Sequence, residues 1–255
     1  IRGRILVATG FVALVGAFAA CASNDASIVV RQIVAPPQPQ NGACVYTADP
    51  TQPLISSGTM DVGLIASYTP TILVSNQLIA RADTNNVKAE TARITLQGAV
   101  VHVSDTNNNE IKSFTSLGSG FIDPGTGGTP GYGAFGVTLI DPATAAAIAA
   151  TLQPLESKRV VVRFTVFGQT SGGQNLDADE YQFPVDVCNG CLVAFPAGSQ
   201  DEVLAAAEKK PNCKATSSSS SSGSTTIPCV IGQDQAVDCR LCQGKPACDP
   251  ANLTQ

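Results

Sequence analysis

Seven of the nine cysteines in this 255-residue chain fall in its last 68 residues: Cys188, Cys191, Cys213, Cys229, Cys239, Cys242 and Cys248. Cys21 and Cys44 stand far upstream. Residues 229–250 hold four of the seven, with Gly232, Asp234, Gly244 and Pro246 between them. So little apolar bulk cannot make a core, and such a segment needs crosslinks to hold a shape. With Cys21 set aside, eight cysteines remain, an even number that points to disulfides in an exported chain. Cys44 then pairs into the Cys-rich end or stays free. Spacing alone does not choose the partners.

Two CxxC pairs, Cys188-Asn189-Gly190-Cys191 and Cys239-Arg240-Leu241-Cys242, raise a zinc alternative. A structural zinc site takes about 15–20 residues between its pairs. Here 47 residues intervene. A thiol-redox alternative calls for a CxxC that opens a helix, whose N-terminus lowers the thiol pKa. Residues 192–196 after Cys191 read as extended instead. Disulfides are therefore the expectation for all eight, with no cofactor and no metal.

The body reads as β. Residues 27–34, 61–66, 71–79, 92–103, 110–116, 133–140, 159–168 and 181–187 are apolar or alternating runs between turn signals. The run 159–168 is the firmest, being dominated by Val, Phe and Thr. The apolar pattern of 72–79 breaks in its middle, which suits a bulge. One helix stands out. Asp141 is an N-cap, Pro142 fits the first helical position, residues 143–152 are Ala-rich, and Pro154 stops them. A second short helix is expected at 200–210, and the Ser-rich run 217–222 reads as a loop, which a Cys213–Cys229 bridge would close. The expected fold is mainly β: an immunoglobulin-like antiparallel β-sandwich with one short crossover helix and a Cys-rich, loop-rich C-terminal tail. The divisions are an export signal at 1–21, a tether and N-terminal strand region at 22–59, the sandwich at 60–193 and the tail at 194–255.

Arg2 and Arg4 precede an uncharged apolar stretch, residues 5–20. As a helix it reaches about 24 Å, short of a bilayer core. A basic start, a short apolar run and small residues at a boundary are the marks of an export signal. The boundary itself, Phe18-Ala19-Ala20-Cys21, resembles the lipobox of bacterial lipoproteins, with Phe18 where Leu is usual. The resemblance implies lipidation of Cys21, which would become the mature N-terminus. Ala22 in place of Asp implies the outer membrane. Cleavage nearby without lipidation, giving a secreted protein, is the alternative. Each buried methylene of an acyl chain contributes about 0.8 kcal/mol, so several chains anchor a protein without a membrane-spanning helix. The order of signal, Cys21, β-rich body and Cys-rich tail is also similar to Cys-rich lipoproteins of myxobacteria and related soil bacteria. That group supplies no activity to carry over.

Candidate sites are sparse. Asp105-Thr106-Asn107-Asn108-Asn109-Glu110 has the oxygen side chains of a calcium loop, but Glu110 stands where an EF-hand needs Gly. It reads as a turn, as does the similar stretch at Asp83 to Asn86. Asp177, Asp179 and Glu180 cluster before a strand. Paired carboxylates can hydrolyse glycosides, yet the chain has no Trp to make a sugar platform, and a solvated loop is the simpler reading. His102, the one histidine, lies in a strand without a nucleophile elbow. Residues 124–133 are glycine-dense, lack the Lys-Ser/Thr of a phosphate loop, and read as a flexible connection. The net charge of −5 argues against nucleic acid. The chain is therefore expected to be a non-enzymatic binding or structural module of the cell envelope. Its expected partners are the membrane, through the anchor, and an envelope protein or glycan. The alternatives are a secreted enzyme or enzyme accessory using the acidic loop or a metal, and the zinc-binding or redox tail.

Overall fold

The computed structural model describes residues 27–39, 43–80, 90–153, 155–195, 213 and 227–249. Cys21 with its lipobox, the turn at 83–86, the expected helix at 200–210 and the Ser-rich run lie outside these residues.

Within them the protein is mainly β, with three sheets and one α-helix. Strand β8, Ser157–Thr170, buries every second side chain: Val160, Val162, Phe164 and Val166 point inward. β5, Ile94–Asp105, does the same with Ile94, Leu96, Ala99, Val101 and Val103. Alternate burial is what a period-two pattern dictates when one sheet face is covered. β5 and β8 pair antiparallel at the centre of one sheet. β6, Glu110–Ile122, adds outside β5, and β10, Tyr181–Cys188, adds outside β8. β3, Gly58–Asp61, completes that row, and β9, Asn175–Asp177, pairs with β8 off it.

A four-stranded antiparallel sheet runs in the order β2, β1, β4, β7. These are Leu54–Ile55, Ile28–Val34, Thr71–Asn76 and Gly131–Gly136. One apolar core draws on both sheets: Ile33, Ile72 and Val74 from this one, and Val101, Phe164 and Val185 from the other. Each such side chain taken from water contributes about 1.5–3 kcal/mol before entropy is counted. Helix α1, Pro142–Ala149, lies between β7 of one sheet and β8 of the other. Asp141 caps it by accepting from Thr144 N–H at 2.8 Å, and Ile148 packs into the core.

Several expectations need correction. The sheets are not wholly antiparallel: β3 pairs with β10 in parallel, and β11, Val193–Ala194, pairs in parallel with β12, Val237–Asp238. Residues 61–66 are not a strand. Asp61 ends β3, and the backbone turns at once because Leu64 N–H and Ile65 N–H both donate to Asp61 O. The irregularity expected in β4 lies in its partner, between Val30 and Gln32 of β1. Part of the glycine-dense stretch is strand. A Cβ at Gly133 would sit 2.8 Å from Phe121 O, so glycine lets β7 approach the end of β6 closely.

Residues 227–249 lie against the body. Asp61 N–H donates to Gly232 O, and Asp234 N–H donates to Thr59 O. The buried Gln233 side chain accepts from Thr69 N–H at 2.9 Å and donates to Thr69 O at 3.2 Å. A second small core gathers Leu64, Val237, Cys239, Cys242 and Cys248.

Candidate functional site

All eight cysteines placed by the structure are disulfide-bonded: Cys44–Cys229, Cys188–Cys191, Cys213–Cys239 and Cys242–Cys248. Cys44 does cross to the tail. The two CxxC motifs differ, since the first closes on itself and the second sends its cysteines to separate partners. Cys213 pairs with Cys239 rather than Cys229, so the Ser-rich run lies within the Cys213–Cys239 loop. A disulfide sulfur offers no thiolate to a zinc ion, and zinc would need these bonds reduced.

The first CxxC lies at a built corner. Asp61 is fully buried. Its Oδ1 accepts from Gly63 N–H at 3.0 Å and Gly190 N–H at 2.8 Å, and its Oδ2 accepts from Leu192 N–H at 3.0 Å. Its carboxylate and the sulfurs of Cys188 and Cys191 lie within 4.8 Å of one another. Sequence reasoning took Asp61 for the start of a strand. The signal available was the Asp-x-Gly turn at 61–63, where an Asp side chain bonds the backbone two residues on.

A second polar cluster locks the tail. Asp234 accepts from Thr59 N–H at 2.8 Å and from the Tyr68 hydroxyl at 3.0 and 3.1 Å. Burial pushes the Asp234 carboxyl above its ordinary range, outweighing these hydrogen bonds. Burial, with the Asp234 charge beside it, pushes the Tyr68 phenol far up, so it stays a donor.

The expected sites are otherwise dispersed. Asp177, Asp179 and Glu180 are exposed, and only Ala178 between them turns inward. Asp105 closes its own turn. It accepts from Asn107 N–H, from Asn109 N–H and from the Asn109 side chain. These bonds, the Asn109 side chain foremost, hold its carboxyl below the usual range. His102 is half-exposed on β5, its Nδ1 3.3 Å from Glu110 Oε2. A cavity of about 330 Å³ opens among Leu78, Thr91, Ala92, Thr170, Gly172 and Gln174. None of these six side chains is ionisable.

The outer face of the six-stranded sheet carries three of the exposed large apolar side chains found among the described residues. Leu117 is 80% exposed, Phe121 65% and Val100 38%. Gly98 on β5 stands opposite Leu117 on one side and Phe167 on the other. Gly98 has no side chain, and the Phe167 ring reaches over it: a Cβ there would stand 3.2 Å from Phe167 Cζ. Arg93 lies over the Phe121 ring, 5.5 Å from its centroid, and bonds Asp123 at 2.6 Å. Leu117, Phe121 and Val100 share one sheet face, with Ser119 between Leu117 and Phe121 and with Thr115 opposite Val100. Sequence reasoning ended this strand at residue 116, whereas β6 runs to Ile122, so Leu117 and Phe121 fell outside it; their sign was that both continue the polar phase of the alternation.

No protein-family model matches the chain, and no curated protein sequence does either.

Proposed function

We propose that this protein is a lipid-anchored component of the cell envelope, a non-enzymatic binding module with an immunoglobulin-like sandwich body. One core fed by two sheets supports the sandwich. Four disulfides support an extracytoplasmic location, since such bonds persist in oxidising compartments. Acyl chains on Cys21 would do the anchoring, at the outer membrane.

The observation that carries the binding reading is the exposed row of Leu117, Val100 and Phe121. Aliphatic side chains dominate it, and the chain has no Trp, so a protein partner suits it better than a glycan. A secreted enzyme is less well supported. Its carboxylate candidates are exposed, and the described cavity holds no acid or base.

Metabolic labelling with an alkyne palmitate tests the anchor. Label is expected on the wild type and lost in Cys21→Ser; equal labelling of both, or of neither, overturns it. A photocrosslinking residue at position 117 in living cells tests the face. A discrete protein adduct is expected; a glycan adduct, or none, rejects a protein partner. Turnover in a glycosidase and peptidase panel would replace the reading with an enzymatic one.

A further inference from the structure

The corner of Asp61, Cys188 and Cys191 differs chemically from the other three disulfides. Cys188 ends β10 and is fully buried, whereas Cys191 is exposed. The other six paired cysteines are buried or half-buried, so Cys191 is the one open to solvent. Among the described residues no other group of cysteines and carboxylates lies so close together. A buried carboxylate therefore faces one disulfide and not the rest.

The turn joining Cys188 to Cys191 is also held without its S–S bond. Asp61 accepts from Gly190 N–H and Leu192 N–H. Leu155 N–H donates to Asn189 O at 2.8 Å, and Asn189 N–H donates to Glu156 O at 3.2 Å. Gly190 takes φ 88°, which glycine adopts freely, and Leu155 takes φ 63°, where a leucine is strained. Cys188 stays paired with Ser157 of β8 and Asp61 of β3. Breaking this bond thus detaches nothing. Breaking Cys44–Cys229 or Cys213–Cys239 removes a covalent tie to the tail. A turn held in place also keeps the two sulfurs near each other when reduced, which speeds ring closure.

We infer that Cys188–Cys191 is a redox-active disulfide that exchanges with protein dithiols, with Cys191 as the attacked sulfur, Cys188 as the resolving sulfur and Asp61 as the proton acceptor. In the forward step a partner thiolate attacks Cys191 Sγ. The S–S bond breaks, and Cys188 leaves as a thiolate that takes a proton from water. The partner's second thiolate attacks its own sulfur in the mixed disulfide and expels Cys191 as a thiolate, which also takes a proton from water. The partner has lost two electrons and holds a disulfide; Cys188 and Cys191 have gained them as a dithiol. The return uses a second protein disulfide as oxidant. Cys191 attacks it as the thiolate, having given its proton to water, and releases one of the oxidant's sulfurs as a thiolate; Asp61 takes the Cys188 proton and passes it to water, and the Cys188 thiolate closes on Cys191 Sγ, expelling the oxidant's second thiolate. The exposed Leu155 beside Gly190 offers an apolar contact for either partner.

The test uses the full oxidised chain, graded dithiothreitol as the small dithiol, acid quenching, maleimide tagging and peptide mapping. Tags are expected on Cys188 and Cys191 at concentrations that leave the other six cysteines closed. Earlier tagging of any other pair overturns the proposal. With oxidised glutathione, Cys188→Ala should accumulate an adduct on Cys191, and Cys191→Ala should form none on Cys188. Equal reactivity of the two overturns the assigned order. In Asp61→Asn, ring closure of pre-reduced protein should slow at least about tenfold, as removal of a general base does. An unchanged rate removes Asp61 from the step. Should that variant not fold, the two cysteine variants decide alone.

Discussion

Replacing both Cys44 and Cys229 with alanine should be the most damaging disulfide deletion. A crosslink stabilises mainly by removing conformations from the unfolded chain, and the effect grows with the logarithm of the loop it closes. Cys44–Cys229 spans 185 residues, Cys213–Cys239 spans 26 and Cys242–Cys248 spans 6. The loop-entropy relation then assigns about 5, about 3.5 and about 2 kcal/mol to the three bonds. Pairwise alanine replacement keeps a lone thiol from scrambling the remainder. Urea unfolding of the three double variants is the assay. The midpoints should fall in that order, and the slope should rise most for Cys44→Ala/Cys229→Ala, whose unfolded chain expands most. A loss below about 1 kcal/mol for that variant, or the reverse order, would refute the view that these bonds act on the unfolded state.

Phe164→Ala should cost about 3–5 kcal/mol in the same assay, because its ring is fully buried where both sheets meet. Asp141→Ala should cost about 1 kcal/mol, by removing the α1 cap, with a further loss of the 2.8 Å Lys112 contact. Asp234→Asn should change the pH dependence of stability. The folded carboxyl titrates above its unfolded value, so wild-type stability measured against this variant should fall as pH rises through that window and stay flat above it. A rise would contradict the burial argument. Asp186, held below its usual range chiefly by the Arg159 hydrogen bond, acts oppositely; its contribution is present at neutral pH and is lost as pH falls through the lowered value, which Asp186→Asn should abolish in the acid limb of the profile.

What could be read from the sequence was what local chemistry decides. β8 follows from its run of Val, Phe and Thr, and α1 from Asp141, Pro142 and the alanines after them. β3 was not readable. Four residues, Gly58–Asp61, are too few to carry a pattern, and β3 exists because β10 and Gln233 hold it from far along the chain. Distance in sequence also hid the two buried aspartates. Asp61 bonds Gly190 across 129 residues, and Asp234 bonds Thr59 across 175. In one dimension each is an ordinary turn aspartate. The even cysteine count implied crosslinks, but the choice of partners depends on which cysteines the two sheets and the tail bring together. The contact face was hidden for a related reason: Leu117 and Phe121 have their meaning only once β6 runs on to Ile122 along β5.

Non-reducing peptide mapping of the protein taken from its producing cells, with free thiols alkylated at harvest, tests the account most directly. Four linked peptide pairs should appear, joining Cys44 to Cys229, Cys188 to Cys191, Cys213 to Cys239 and Cys242 to Cys248, with no alkylated cysteine in the three pairs that hold the tail. Alkylated Cys44, Cys213 or Cys248, or partners other than these, would contradict it.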